Sequence, residues 1–180
     1  VYNGLAAFSI CSASGIKSSN IQKGLSTLSA AFGRNEIITY AGTEMMLLLA
    51  KNPAGANQNL RTLLLTEEKI DLVISLNDRT ADGKDISWIW DVDYEMIFDR
   101  IATLTISGDR AYDLALRFYY SDFPTSSMHI VPSVEGLLNH LKDSCESLQR
   151  VVILPTYTAM LDLRSQLNKV GATHSFWEEQ

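Results

Sequence analysis

The sequence has few cysteines and histidines, which limits the chemistry it can carry. Only Cys11 and Cys145 occur among its 180 residues, and they do not form a C-x-x-C pair. The three histidines, His129, His140 and His174, stand apart from one another in sequence. Zinc sites need closely spaced ligands, and disulfide frameworks need more cysteines, so neither is expected in this chain. A reducing compartment fits this cysteine usage.

Basic residues and long apolar runs are also scarce. Fifteen lysines and arginines against twenty-one aspartates and glutamates give a net charge of −6. An acidic protein offers little attraction to nucleic acid or to an anionic membrane. No apolar run approaches the roughly 18 residues that a membrane-spanning helix needs. We therefore expect no nucleic-acid partner and no transmembrane segment.

Several catalytic motifs are absent. The sequence contains no G-x-x-x-x-G-K-[ST] phosphate loop, no G-x-G-x-x-G fingerprint and no G-x-S-x-G nucleophile elbow. Their absence disfavours a self-contained ATPase, dehydrogenase or hydrolase. Because the chain opens at Val1, already inside a helical pattern, we expect it to be part of a longer protein.

What the sequence does contain is an alternation of apolar strands with short helices. Two helices come first, over residues 1–10 and 21–31, and we expect Ser19 or Asn20 to cap the second. From residue 34 onwards the alternation predicts an α/β domain whose sheet is mostly parallel and carries helices on both faces. The predicted strands are residues 37–40, 45–50, 72–76, 101–106, 128–131 and 151–154, and the intervening helices are 53–65, 110–120, 133–141 and 157–167.

Polar side chains follow four of these strands, at the edge where open α/β sheets bind their ligands. Lys51 can reach a phosphate or carboxylate at the next helix, or can simply be a solvated lysine. The segment Asn77–Asp85 has three carboxylates and a glycine. It can hold Mg²⁺, orient a polar substrate or form an ordinary surface loop. We expect Ser107 and Thr156 to cap the helices that follow them.

The segment 87–95 combines two tryptophans with three carboxylates. Trp88 and Trp90 can form a contact surface, and one of the three carboxylates can act as an acid or orient a base. The alternative is a half-buried strand, because aromatic and apolar residues alternate with the acids. The sequence leaves both interpretations open.

Three further motifs are Tyr2-Asn3-Gly4-Leu5-Ala6-Ala7, Phe32-Gly33-Arg34-Asn35-Glu36 and Leu49-Ala50-Lys51-Asn52-Pro53-Ala54-Gly55. Taken in order, these three motifs resemble the Mur ligases of peptidoglycan synthesis. The motifs within residues 77–85, 88–91, 107–113 and 154–160 narrow the resemblance to MurT-type subunits. The resemblance implies that residues 1–33 are the tail of a central ATPase domain and that residues 34–180 form a Rossmann-like C-terminal domain.

The resemblance also implies a reaction. MurT-type subunits are the synthetase half of lipid II isoglutaminyl synthase, which uses ATP to amidate the α-carboxylate of D-glutamate in lipid II to D-isoglutamine. Ammonia comes from a class I glutaminase subunit of the GatD type. The complex is expected in the cytoplasm, at the inner face of the membrane. ATP and Mg²⁺ are expected mostly in the missing central domain, and zinc only there.

The resemblance assigns roles to individual residues. Asn3 matches the family's asparagine near the adenine. Arg34 matches the linker arginine that reaches the nucleotide when the domains close. Lys51 matches a lysine that faces the nucleotide phosphates and the substrate carboxylate. Asp91, with Asp93 as runner-up, is the candidate to complete the partner's Cys-His pair into a triad. The candidate substrate or polar-loop residues are Asn52, Asn57, Asn77, Asp78, Asp82 and Asp85, and no metal ligand is expected.

Two other functions remain open. A non-catalytic docking module would use residues 88–95 as a contact patch for the glutaminase. An amino-acid-adding Mur ligase would keep the fold and need no glutaminase. In every case we expect this chain alone neither to hydrolyse ATP nor to amidate a substrate, because the phosphate loop is absent.

Overall fold

The computed structural model describes residues 2–27, 34–144 and 150–173 of the chain. Two compact units, Val1–Ala31 and Phe32–Gln180, make up the chain. The first unit holds two helices, α1 (Tyr2–Ala13) and α2 (Ser18–Ser26). The turn after α1 contains Gly15, whose φ of +81° lies in the left-handed region that suits glycine after a helix end.

The start of α2 differs from the prediction. The residue preceding the helix is Lys17, and its side chain makes no capping hydrogen bond. Ser19 and Asn20 lie inside α2 rather than at its N-cap, so the predicted capping was wrong. The helix begins earlier than its apolar residues suggested, because polar residues in a first turn contribute nothing to the hydrophobic pattern.

The described residues of the second unit form six strands and four α-helices. Its elements are β1 (Arg34–Tyr40), β2 (Thr43–Leu48), α3 (Pro53–Leu63), β3 (Ile70–Ser75), β4 (Ile101–Ser107), α4 (Ala111–Tyr119), β5 (Met128–Ile130), α5 (Val134–Asp143), β6 (Arg150–Pro155) and α6 (Tyr157–Lys169). Three short 3₁₀ helices, Ser87–Asp91, Tyr94–Arg100 and Thr125–Ser127, lie in its connections.

The strands form one sheet in the order β1-β2-β6-β3-β4-β5. The five strands from β2 to β5 in this order run parallel, and only the edge strand β1 is antiparallel to its neighbour. The predicted, mostly parallel α/β sheet is thus confirmed. Its consequence for function is that the carboxyl ends of β2, β6, β3 and β4 meet along one edge.

Helices cover both faces of this sheet, because its inner strands are apolar on both sides. In β3, Leu72 and Ile74 join the apolar cluster beneath α3 and α4, whereas Val73 joins the cluster beneath α5 and α6. Adjacent side chains of a strand point to opposite faces, so a continuous apolar run fills both layers. In the described part of the chain, no helix is long and apolar enough to cross a membrane.

The segment between β3 and β4 is not a strand. Residues 87–91 and 94–100 form two consecutive 3₁₀ helices, and the half-buried strand considered from the sequence was wrong. The buried residues are Ile89, Val92, Tyr94 and Ile97, which recur about every three positions, as a 3₁₀ helix requires. The alternation of aromatic and acidic residues therefore does not set the inward face of this segment.

Candidate functional site

Asn77 ties together the loops at the carboxyl edge of the sheet. Its buried side chain accepts a hydrogen bond from the Asp109 amide at 2.9 Å and donates one to the Thr158 hydroxyl at 3.0 Å. Its own amide donates to Thr156 Oγ1 at 3.0 Å. The single residue Asn77, which follows β3, is thereby bonded to the segments that follow β4 and β6. The polar groups of Asn77 are used within the chain, and they fix the shape of the edge.

This arrangement corrects the predicted helix caps. Thr156 is at the N-cap position of α6, but its side chain makes no capping bond and instead accepts the amide hydrogen of Asn77. Ser107 is the last residue of β4, and its hydroxyl lies 3.5 Å from the Pro132 carbonyl. Contacts across the sheet edge take the place of local capping at both residues.

Asp82 binds the first turn of α6. Its carboxylate accepts the Thr158 amide at 2.8 Å and also the Thr158 hydroxyl. A carboxylate at a helix N-terminus meets amides that have no partner within the helix and the positive end of the helix dipole. Asp82 therefore stabilises the loop 77–85 against α6.

Asp85 and Asp78, the other acids of this loop, also have partners. The Asp85 carboxylate accepts the Ser87 amide at 2.8 Å, and hydrogen bonds from Ser87 lower the pKa of Asp85. Asp78 lies 3.4 Å from the Arg110 guanidinium. All three predicted acids of the loop are thus engaged by neighbouring groups of the chain.

The two arginines at this edge are neutralised by carboxylates. Arg79 contacts both Asp109 and Asp162 at 2.8 Å, and these hydrogen bonds raise its pKa above the ordinary value. Arg110 makes a bidentate contact with Asp113, at 2.9 and 3.1 Å, in addition to its contact with Asp78. Neither arginine is therefore an unopposed positive charge for an anionic ligand.

Lys51 differs from both arginines. Its side chain is exposed and makes no hydrogen bond or ion pair with any residue that the structure describes. It directly precedes Asn52, whose side chain caps α3 by accepting the Gly55 amide at 2.8 Å. A lysine beside a helix N-terminus can contact a phosphate or carboxylate. The predicted position of Lys51 at the carboxyl edge of β2 is therefore suited to an anion.

Asn57 and Asp93 bind each other. Asn57 Nδ2 donates to the Asp93 carboxylate at 3.1 Å, and Asn57 Oδ1 accepts the Asp93 amide at 2.9 Å. The pair links α3 to the turn between the two longer 3₁₀ helices. Asn59, which the sequence did not single out, anchors the same helix through the carbonyls of Leu48 and Leu49 at 3.2 and 3.1 Å.

Asp91, in contrast, points to no group of the described chain. It ends the first 3₁₀ helix with an exposed side chain that makes no hydrogen bond or ion pair within the described residues. Next to it, Trp90 is 50% exposed, whereas Ile89 is 1% exposed and packs in the core. A carboxylate at this position is free to contact another molecule.

The buried Arg117 binds the backbone of this segment, and the sequence analysis did not predict this role. The arginine is only 6% exposed and donates to the carbonyls of Ile89 at 3.3 Å and Val92 at 2.9 Å. Its guanidinium also lies 5.6 Å from the ring centres of Trp90 and Tyr94. The available signal was an arginine on the apolar face of a predicted helix.

The other two residues predicted to lie near the nucleotide, Asn3 and Arg34, belong to different units of the chain. Asn3 lies in α1 of the first unit with an exposed side chain. Arg34 is the first residue of β1, and its side chain lies outside the described part. The motif residues Phe32 and Gly33 also lie outside it.

The described residues do not assemble a metal centre. No group of three or more histidine, cysteine, aspartate or glutamate side chains among them is placed to hold an ion. His129 and His140 lie with ring centres 5.2 Å apart beside a cavity of about 70 Å³, towards the amino ends of β3 and β6. Burial lowers the pKa of His140, with a further contribution from His129. This cavity is remote in the fold from the carboxyl edge.

Comparison with known proteins identifies the family. Residues 49–160, more than half of the chain, match the MurT ligase C-terminal family. The chain belongs to this family. It is 35% identical over 168 residues to "Lipid II isoglutaminyl synthase (glutamine-hydrolyzing) subunit MurT" of Streptococcus pneumoniae. It is 32% identical over 171 residues to the subunit of the same name from Staphylococcus aureus strain COL.

The chain covers only part of these relatives. The alignments include 93% of this chain but 37% of the Streptococcus protein and 38% of the Staphylococcus protein. Among solved structures, MurF from Acinetobacter baumannii matches with a TM-score of 0.65 at 18% identity, over 93% of this chain and 37% of that one. At this identity the likeness shows the Mur ligase fold.

A second solved structure shares the fold. The bifunctional folylpolyglutamate synthase/dihydrofolate synthase of Yersinia pestis, complexed with AMPPNP and a manganese ion, matches with a TM-score of 0.54 at 17% identity. The match covers 87% of this chain and 35% of that protein. This chain thus shares its fold with part of each of these two proteins.

Gly108 is required by the close approach of β3 and β4 at the edge, and this can be tested. Its φ is +96°, and a Cβ would lie 2.4 Å from the Leu76 carbonyl oxygen. We expect Gly108→Ala to lower the free energy of unfolding by about 3 kcal/mol, from backbone strain and the clash. Gly83→Ala is the matched control, because its φ is +95° with nothing within 4 Å.

Gly83→Ala should lower the free energy of unfolding by about 1 kcal/mol, because only its backbone conformation is unfavourable for alanine. Chemical denaturation of the two variants measures the difference. Equal losses for both variants would show that the approach to Leu76 is not the constraint.

Proposed function

We propose that this chain is the C-terminal part of the synthetase subunit of a lipid II isoglutaminyl synthase. In this proposal the complete enzyme uses ATP to amidate the α-carboxylate of D-glutamate in lipid II, and a partner glutaminase supplies the ammonia. Family membership and the names of two relatives support the assignment. Lipid II is a membrane-bound substrate, so the expected place of action is the inner face of the membrane.

The observation that carries the proposal is the state of Asp91. This carboxylate is exposed and unpartnered within the described residues, whereas Asp78, Asp82, Asp85 and Asp93 are bound by neighbouring groups. Its backbone is nevertheless held, because Arg117 binds the carbonyls on both sides of it. A carboxylate that extends from a hydrogen-bonded backbone and has no local partner is suited to a group on another subunit.

A carboxylate of this kind can complete a Cys-His pair. It accepts the hydrogen of one imidazole nitrogen, which fixes the tautomer and the orientation of the ring, and it stabilises the imidazolium that forms when the thiol is deprotonated. The cysteine and the histidine belong to the glutaminase in this proposal. Asp93 is the weaker candidate, because Asn57 already occupies its carboxylate.

Lys51 is proposed to contact the nucleotide phosphates or the substrate carboxylate. Its exposed ammonium at the end of β2 fits an anion, whereas the neighbouring arginines are neutralised. ATP, when bound, supplies the activation of the substrate carboxylate for attack by ammonia. As the resemblance implies, we assign most of the ATP and Mg²⁺ contacts to a central ATPase domain.

The domain assignment is part of the same proposal. We place residues 1–33 at the end of a central ATPase domain and residues 34–180 in the C-terminal domain. Asn3 and Arg34 keep their proposed roles near the nucleotide. The separation of the chain into the compact units Val1–Ala31 and Phe32–Gln180 supports this division.

Replacing Asp91 tests the catalytic role. In the complete subunit mixed with its glutaminase, we expect Asp91→Asn to lower the rate of glutamine hydrolysis at least about a hundredfold, because the amide cannot stabilise an imidazolium. The affinity between the subunits, measured by calorimetry, should change less than about threefold. Asp99→Asn, which alters another exposed aspartate, should leave both quantities unchanged.

The other outcomes separate the alternatives. If Asp91→Asn weakens binding and hydrolysis in parallel, the segment is a docking patch rather than part of a triad. If only Asp93→Asn abolishes hydrolysis, the runner-up replaces Asp91. If no complex forms with a glutaminase, an amino-acid-adding Mur ligase explains the fold better.

Lys51 is tested through the synthetase reaction. We expect Lys51→Gln to slow amidation of lipid II by the complete enzyme at least about tenfold, because a fixed positive charge next to the reacting phosphates or carboxylate is lost. The affinity for the glutaminase should not change. Lys84→Gln, in the exposed loop 77–85, is the control and should retain full activity; an equal loss there would indicate a general charge effect.

A further inference from the structure

Arg117 is a buried charge that the proposed chemistry does not use directly. It lies on α4, on the face that also carries the core residues Leu114 and Phe118. A buried arginine is costly unless its donors are satisfied. Its contacts therefore show what the buried arginine stabilises in the native structure.

The five N–H groups of Arg117 meet five acceptor atoms. These are the carbonyl oxygens of Ile89 and Val92, both carboxylate oxygens of Glu95 and the hydroxyl of Ser121. Four of these acceptors belong to the segment 89–95. A planar guanidinium with every donor engaged has little freedom to reorient.

The two carbonyl contacts lie on either side of Asp91. Ile89 precedes it by two residues and Val92 follows it by one, so a single rigid group fixes both ends of the turn that exposes Trp90 and Asp91. The guanidinium also lies beneath the Trp90 ring, at 5.6 Å from its centre. The backbone segment that carries the exposed carboxylate is thus hydrogen-bonded to the Arg117 side chain of α4.

We propose that Arg117 is a positioning residue that holds Asp91 at the place required by the partner subunit's histidine. This inference rests on the proposed function of Asp91. Arg117 itself is buried and touches neither substrate nor partner histidine. Its effect passes through the backbone of residues 89–92.

Lysine cannot replace arginine in this role. It carries the same charge, but its three donors radiate from one nitrogen and cannot span two carbonyls and a carboxylate in one plane. In the complete subunit with its glutaminase, we expect Arg117→Lys to lower kcat for glutamine hydrolysis about ten- to a hundredfold, as a small displacement of a catalytic group does. The KM for glutamine and the affinity between subunits should stay within about threefold.

Arg164→Lys is the matched control. Arg164 is also 6% exposed, lies on α6 on the opposite face of the sheet and pairs with Glu36. Arg164→Lys should lower the melting temperature about as much as Arg117→Lys does, while leaving kcat for glutamine hydrolysis unchanged. Ser121→Ala removes one acceptor without removing the buried charge and serves if Arg117→Lys does not fold. Ser121→Ala should also lower kcat, by a smaller factor than Arg117→Lys does.

A double-mutant cycle separates this inference from the proposed function. If Arg117 acts through Asp91, then Arg117→Lys should cause no further loss of hydrolysis in the Asp91→Asn background. A full additional loss there, or an unchanged kcat for Arg117→Lys alone, would overturn the positioning role. If Asp91→Asn alone has no effect, it is the proposed function that fails, independently of Arg117.

Discussion

The hydrogen bonds of Asn77 are the constraint on which the carboxyl edge of the sheet depends. Parallel strands end together, but their following loops have no ladder to pair with, and buried amides without partners are costly. Asn77 satisfies groups from the loops after β4 and β6 at once. The positive φ of Gly108 allows β4 to approach closely enough for this contact. Hydrogen bonds within the chain therefore hold the loops of this edge together.

The polar residues of the edge fall into two groups, those with partners within the chain and those without. Most of the acids and both arginines satisfy one another, and their role is to hold the loops. Lys51 and Asp91 are among the exposed residues that make no hydrogen bond or ion pair within the described chain. Their charges are consequently available to other molecules, the lysine to an anion and the aspartate to a cationic or hydrogen-donating group. This division connects the fold to the proposed two-subunit reaction.

The sequence predicted the architecture well because continuous apolar runs alternating with helices leave few arrangements other than a parallel sheet. It predicted the segment 87–95 less well, because a 3₁₀ helix buries every third residue and short aromatic runs fit two periods. Thr156 and Ser107 were expected to cap the helices that follow them. Their hydroxyl groups instead make hydrogen bonds across the edge, with Asn77 and Pro132. Arg117 could not be assigned from the sequence, since its acceptors are carbonyls more than twenty positions away.

The central claim is that Asp91 reaches the active site of a partner glutaminase. Thiol cross-linking tests it most directly: in the complete subunit carrying Asp91→Cys, a short bifunctional thiol reagent should couple residue 91 to the catalytic cysteine of the bound glutaminase. The unchanged protein controls for its native cysteines, and Leu65→Cys controls for an exposed position at the end of α3. A cross-link specific to residue 91 is the predicted result. A stable complex in which residue 91 does not couple to that cysteine would contradict the account.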